Sequence, residues 1–293
     1  MIQKNINRRG MAAMTAGTAA FALNDALMKH LVAHLPVSEI VVLRGAVSAA
    51  LAFLLLMQAG HLSTVPDMRR GSVLMRAALE AAVVLVYMQA LRNIPLGLAT
   101  AILQATPLMI TALAALGGRE RVGPARWLAV LLGFAGVLMI VQPDSQGISP
   151  AMALAVLTAA IVTCRDLSNR LVPRKVPVLL IVFAASLANT VAGGVLGIAA
   201  GDVWFAPSGL DWLLMSSAAV TVLAASSLMT IAFRGTEVSA VSPFRYAGVP
   251  FALLIGFLVW GDLPNILASV GIFCVIGAGL FAMRDEARRT RSR

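Results

Sequence analysis

The sequence predicts an all-α membrane protein, with ten transmembrane helices arranged as two inverted five-helix repeats. Three observations predict it. Of 293 residues, 59% are hydrophobic and only 12% are charged, against roughly a quarter charged in a soluble domain. The mean hydropathy is +0.88, so too little polar surface is left to face water. The apolar residues form long continuous runs, which selects helical spans over the alternating pattern of an outer-membrane barrel. The basic residues gather at every second boundary between runs.

Ten apolar segments cover 11–33, 38–58, 72–91, 96–116, 125–141, 150–168, 177–200, 210–232, 238–260 and 264–283. Most approach the ~20 residues that cross ~30 Å of hydrocarbon. Span 1 follows Lys4, Arg8 and Arg9 and is uncharged from Met11 to Leu23, but then carries Asn24, Asp25 and Lys29. Span 2 holds Arg44, with Glu39 near its outer end. Span 3 carries Arg76, Glu80 and Tyr87 on one stripe. Span 4 contains Gln104 and Pro107, and span 9 crowds Pro243, Arg245, Tyr246, Gly248 and Pro250. Spans 5 and 10 present small faces, Ala129-Gly133-Gly136 and Gly271-Gly277-Gly279, which suit close helix packing or dimerisation at the periphery. Span 6 ends in Arg165-Asp166, followed by Arg170. In span 8, Ser226, Ser227 and Thr230 read as helix-to-helix hydrogen bonds. The connections are too short for a soluble catalytic domain, so function must be built among the helices.

The basic residues set the orientation. Lys4, Arg8, Arg9, Arg69, Arg70, Arg76, Arg119, Arg121, Arg126, Arg170, Arg174, Lys175, Arg234 and the Arg-rich C-terminus all fall on one side if each span crosses once. The opposite loops hold Arg92 with Asp144, Asp202, Asp211 and Asp262. This bias predicts an inner membrane protein with both termini cytoplasmic. It also makes the net charge of +10 topological and argues against a nucleic-acid partner. Cys164 and Cys274 lie inside apolar segments with no ligand spacing around them, so neither disulfide nor metal is expected.

The chain also resembles itself. At an offset of 140 residues Thr18-Ala19-Ala20 falls on Thr158-Ala159-Ala160, and Asn24-Asp25 lands beside Arg165-Asp166. At 142, Ala90-x-Arg92 falls on Ala232-x-Arg234 and Glu120 on Asp262. The expected halves are 1–147 and 148–293. Five spans is an odd number, so the second half must be inverted, as in many secondary transporters, with a midplane site between the halves. The repeat also favours a retained first span over a cleaved signal peptide, despite Ala20-Phe21-Ala22.

The stretch ALRNIPLGLATAILQATPLMITALAALGGRERVGPARWLAVLLGFAGVLMI, residues 90–140, combines an Ala-rich turn, a mid-helix Pro, the corner Gly118-Arg119-Glu120 and a Gly-rich final helix. Residues 232–283 repeat it with Trp260-Gly261-Asp262. The chain thus resembles the drug/metabolite transporter superfamily in its EamA-like branch, closest in style to the bacterial aromatic amino acid exporters. The resemblance implies an exporter or exchanger of small metabolites, often amino acids or related compounds, and the residues themselves offer no catalytic, metal or cofactor motif.

Each intramembrane polar group has a structural and a functional reading. Asp25 and Lys29 are i and i+4, the spacing of an intrahelical pair, and Asn24 sits beside them. They either neutralise each other or face a water-filled pathway. Arg44 is a brace toward Asp25 or a ligand for a substrate carboxylate. Glu80 is a candidate proton carrier or an ion-pair partner of Arg76. Tyr87 is a packing aromatic or a site residue. Gln104 and Arg245 occupy near-equivalent repeat positions beside the helix interruptions, the best sequence pointer to a binding site, and Tyr246 adjoins them. Pro107, Arg165, Asp166, Pro243 and Pro250 are the candidate gate and hinge residues. The expected function is export of amino acids or related metabolites by a monomer or homodimer. A multidrug or cationic-compound exporter, an intramembrane enzyme and a channel are the alternatives. No Walker A loop, HExxH or Ser/His/Asp set occurs.

Overall fold

In the computed structural model the described residues are 2–116, 124–143, 147–173, 175–233 and 241–291. They form the helices α1 (Ile2–Leu31), α2 (Val37–Gln58), α3 (Gly71–Leu91), α4 (Leu96–Leu103), α5 (Thr106–Leu116), α6 (Pro124–Val141), α7 (Pro150–Ser168), α8 (Val178–Ala200), α9 (Gly209–Phe233), α10 (Gly248–Trp260) and α11 (Ile266–Arg291). Eight stretches are long and apolar enough to cross a membrane, and the apolar part of α6, Trp127–Val141, is shorter. The expected corner Gly118-Arg119-Glu120, with Arg121, Asp144, Arg174 and Arg234, lies outside the described residues.

The helix boundaries follow from local chemistry. Pro36, Pro95 and Pro177 stand before α2, α4 and α8 with φ of −60°, −57° and −62° and extended ψ. A proline there gives up no intrahelical hydrogen bond. Pro150 opens α7, where the Ser149 hydroxyl accepts from the Met152 amide at 3.3 Å. Gly201 and Gly261 close α8 and α10 in the left-handed conformation, at φ 65° and 70°, where a side chain would be strained.

Spans 4 and 9 are interrupted, as the prolines predict. Between α4 and α5 the backbone tightens at Gln104-Ala105. Pro107 has no amide to offer the carbonyl of Leu103, four residues earlier, and the Thr106 hydroxyl takes that carbonyl at 2.6 Å. In span 9 a 3₁₀ segment, Ser242–Ala247, with Pro243 at its start, precedes α10. A second 3₁₀ segment, Leu62–Arg69, fills the α2–α3 connection.

The main helix pairs all join residues before 148 to residues after it. Helix α1 packs on α9, and α3 on α7. Helix α2 packs on α8, α4 on α10, and α6 on α11. Against α11, α6 approaches so closely that a Cβ on Gly136 would stand 2.7 Å from the Gly271 carbonyl. Both glycines are thus spent on α6–α11 packing, the packing alternative for these small faces. The main apolar core draws on α1, α2, α3, α4, α6, α7, α9, α10 and α11, with Met28, Leu31, Ile40, Leu96 and Met215 fully buried. Facing outward is a belt that includes Leu128, Leu131, Leu138, Val191, Val195, Leu254, Leu258 and Phe273. Exposed apolar surface on this scale matches a lipid surrounding.

Candidate functional site

Two polar clusters interrupt the apolar core, and α3 joins them. Along α3, Glu80 and Tyr87 are seven residues apart, two turns or about 10 Å of rise. They therefore point from the same face toward different depths.

At the Tyr87 level, α1, α2 and α3 converge. The Tyr87 hydroxyl donates to Asp25 Oδ2 at 3.2 Å, and Asn24 Nδ2 donates to Asp25 Oδ1 at 2.9 Å. Arg44 Nη1 donates to Asn24 Oδ1 at 3.2 Å. Asn24 thus stands as a neutral bridge between a carboxylate and a guanidinium. Asn24, Arg44 and Tyr87 are 4%, 5% and 5% exposed. No carboxylate lies within 4 Å of Arg44 among the described residues, and its Nε is buried without a partner. One turn further along α2, Ser48 Oγ is also buried and unpartnered, as is Asn189 Oδ1 on the adjoining α8.

Lys29 does not join this cluster, and the Asp25–Lys29 pair, one of the two readings of their spacing, is absent. Its Nζ donates to the carbonyls of Leu91 at 3.3 Å and Ile94 at 2.5 Å and lies 5.5 Å from the centre of the Trp260 ring. Leu91 is the last residue of α3 and Ile94 lies in the turn just beyond it, where C-terminal carbonyls lack intrahelical donors and carry the negative end of the helix dipole. A long cationic side chain on the neighbouring helix satisfies them, and this outcompetes pairing one turn back.

At the Glu80 level, α3, α7 and the 3₁₀ segment of span 9 meet in a chain of ion pairs. Glu80 Oε2 accepts from Arg76 Nη1 at 2.6 Å and from Arg165 Nη1 at 3.3 Å. Arg165 grips its neighbour Asp166 through Nε and Nη2, at 3.0 and 2.8 Å. Asp166 also accepts from Arg245 Nη2 at 3.5 Å. Three guanidinium groups surround two carboxylates, leaving an excess positive charge. Glu80 is therefore an ion-pair partner and not an isolated carboxyl. Arg76 has a further acceptor, Asn169 Oδ1 at 2.7 Å.

The two helix interruptions touch directly. Gln104 Nε2 donates to the Arg245 carbonyl at 2.8 Å. The 3₁₀ course of Ser242–Ala247 turns that carbonyl toward Gln104 and the Arg245 guanidinium toward Asp166. Tyr246 is packed against Gly279 of α11, and its buried hydroxyl has no partner among the described residues. Pro243 starts the 3₁₀ segment, Pro250 lies in the first turn of α10, and Pro107 lies in the first turn of α5.

The sequence reading misses Ser48, Asn189, Asn169 and the Trp260–Lys29 contact. A lone amide in an otherwise apolar span was the available signal for Asn189. Nothing in the spacing announces a tryptophan reaching a lysine more than two hundred residues away. Among the described residues no group of His, Cys, Asp and Glu could hold a metal.

The chain as a whole is similar to known proteins. The profile of the EamA-like transporter family matches residues 8–142. The chain is 33% identical over 219 residues to a protein named riboflavin transporter from Rhizobium johnstonii, covering 74% of this chain and 72% of that one. It is 27% identical over 287 residues to the pseudopaline exporter CntI of Pseudomonas aeruginosa, covering 95% and 97%. An S-adenosylmethionine uptake transporter of Rickettsia bellii is 24% identical over 198 residues, covering 66% of each chain. A protein of known crystal structure superposes with a TM-score of 0.66 at 18% identity, over 96% of this chain and 97% of that one, a likeness of fold alone.

Proposed function

The chain belongs to the EamA-like transporter family, and from that membership we propose that it exports amino acids or related zwitterionic metabolites by alternating access. It is an integral membrane transporter, not an enzyme, as its relatives are carriers of small molecules.

The observation that carries the substrate class is the Asp25–Asn24–Arg44 chain. A half-buried carboxylate and a buried guanidinium are held apart by one amide. A zwitterion whose ammonium meets Asp25 and whose carboxylate meets Arg44 would replace the Asn24 bridge with two charge-assisted bonds. Arg44 keeps an unused Nε for that purpose, and Tyr87 would hold the second oxygen of Asp25 in place. The Glu80–Arg165–Asp166–Arg245 chain would then close the cytoplasmic end.

The helix pairing supports two inverted five-helix repeats. Exchange of the halves turns α1 on α9 into α7 on α3, and leaves α2 on α8, α4 on α10 and α6 on α11 unchanged. The basic residues support an inner-membrane placement with both termini in the cytoplasm.

Counterflow in proteoliposomes tests the reading, with amino acids, riboflavin, S-adenosylmethionine and a lipophilic cation as the panel. Amino acids should drive saturable exchange without any covalent product. Exchange of riboflavin alone would replace the zwitterion reading by a second one, favoured by the 33% identity to a riboflavin transporter. Exchange of the cation alone would sink both.

A further inference from the structure

A groove of about 490 Å³ opens between α1 and the start of span 9, on the half of the protein that the proposed orientation, from the basic residues, places toward the cytoplasm. Its size is that of a small-molecule site. Arg8 stands at one end, Thr15, Ala16 and Ala19 form the floor, and Phe244 and Phe251 form a wall. From Arg8 to Ala19 along α1 is eleven residues, or about 16 Å of rise. That is half of the ~30 Å hydrocarbon core, the depth of one leaflet. The Thr15 hydroxyl donates back to the Met11 carbonyl at 3.0 Å, so it offers the groove no unpaired donor. Arg8 is exposed and has no ion-pair partner among the described residues.

The geometry points to a binding site for an anionic phospholipid of the cytoplasmic leaflet, with one acyl chain along the Ala16–Phe251 slot and the phosphate on Arg8. A slot one leaflet deep, apolar along its length and cationic only at the interface, is complementary to an amphiphile with a negative head. A polar substrate would find no partners along the floor. The basic N-terminal residues strengthen the attraction of an anionic head at this surface. The bound chain lies against Phe244, the neighbour of Arg245, and so props the 3₁₀ segment that carries the Gln104 contact.

The test uses the full chain, purified in detergent and stripped of lipid, with palmitoyl-oleoyl phosphatidylglycerol or phosphatidylcholine added, and counts retained lipid by native mass spectrometry. The wild type should retain phosphatidylglycerol about fivefold over phosphatidylcholine, the ratio equivalent to ~1 kcal/mol for one basic residue near an anionic surface. Arg8→Gln, at an exposed position, should bring that ratio near one. Ala16→Phe, which fills the slot, should lose both lipids, with Ala19→Leu serving the same purpose if Ala16→Phe does not fold. Equal retention of the two lipids by the wild type overturns the assignment, as does undiminished retention by the filled-slot variant. A stripped protein that elutes as a dimer unaffected by lipid would give the groove to a second copy and overturn it too.

Discussion

The side chain of Gln104 donates to the main-chain carbonyl of Arg245 at 2.8 Å, and through it the two broken helices of the bundle hold each other. Both residues sit where a proline or a 3₁₀ turn frees backbone groups, and each half supplies what the other lacks. The link joins one side-chain donor to one backbone acceptor, so breaking it requires neither helix to unfold.

Gln104→Leu keeps the bulk and removes the donor, leaving the Arg245 carbonyl without this partner. Loss of such a bond costs about 1–3 kcal/mol when the remaining group is buried. Thermal unfolding in detergent should register that loss, while transport falls further than stability explains. Unchanged transport in a folded Gln104→Leu protein would reduce the link to packing.

Glu80 is expected to behave as a structural charge. Glu80→Gln leaves Arg76 and Arg165 facing each other around a neutral amide. The side chains are 15%, 19% and 22% exposed for Arg76, Arg165 and Glu80, so solvent tempers the penalty. A loss of about 1–3 kcal/mol is expected, below that of a fully buried pair. A double-mutant cycle with Arg165→Gln should show coupling above about 0.5 kcal/mol. Strict additivity would mean that Glu80 and Arg165 do not interact in the membrane.

Asp25→Asn should abolish most transport while the protein remains folded in the membrane, because the asparagine oxygen can still accept from Asn24 and its NH2 can donate to a turned Tyr87 hydroxyl. Tyr87→Phe should be milder, since Asp25 keeps its bond to Asn24. Abundance and counterflow measured side by side distinguish the two. Normal transport by Asp25→Asn would make the cluster a structural one.

Lys29 and Asp25 are predicted to be independent. Lys29→Met removes the donor to the α3 terminus and the contact with Trp260, with an expected cost of about 1–3 kcal/mol. Since the two residues share no partner, the stability change of Asp25→Asn combined with Lys29→Met should equal the sum of the single changes within about 0.5 kcal/mol. A larger discrepancy would restore the intrahelical pair that the i, i+4 spacing suggests.

That pair shows where sequence reasoning stops. The hydrophobic runs place most helix ends to within a few residues, because crossing hydrocarbon imposes length and composition on a span, but α1 starts at Ile2 and α11 runs to Arg291, well beyond the apolar parts that the runs mark. The breaks in spans 4 and 9 are equally legible, because proline removes a known hydrogen bond. The pairing of Asp25, Asn24 and Arg44 is only half legible, since the sequence shows charges at similar depth but not the amide between them. The partners of Lys29 are not legible, because they are backbone carbonyls, which have no residue type to search for. The Glu80–Arg165 contact depends on α3 packing against α7, a tertiary choice that no local pattern encodes.

Orientation can be tested at two exposed loop positions. Ile148, just before α7, is 49% exposed, and Leu62, in the α2–α3 connection, is 44% exposed. The basic residues put Leu62 among Arg69 and Arg70, on the side expected to be cytoplasmic, and Ile148 on the opposite side. With Cys164 and Cys274 replaced by alanine, a membrane-impermeant maleimide should label Ile148→Cys in intact cells. Leu62→Cys should react only after the membrane is opened. The number of crossings between the two positions must be odd for this result. The inverted-repeat reading supplies three, through α3, the broken span of α4 and α5, and α6. That count rests on α6, whose apolar part is the shortest. If α6 lay along the membrane surface instead of crossing, Ile148 and Leu62 would share a side. Both cysteines would then label under the same condition, and the ten-span inverted architecture would be wrong.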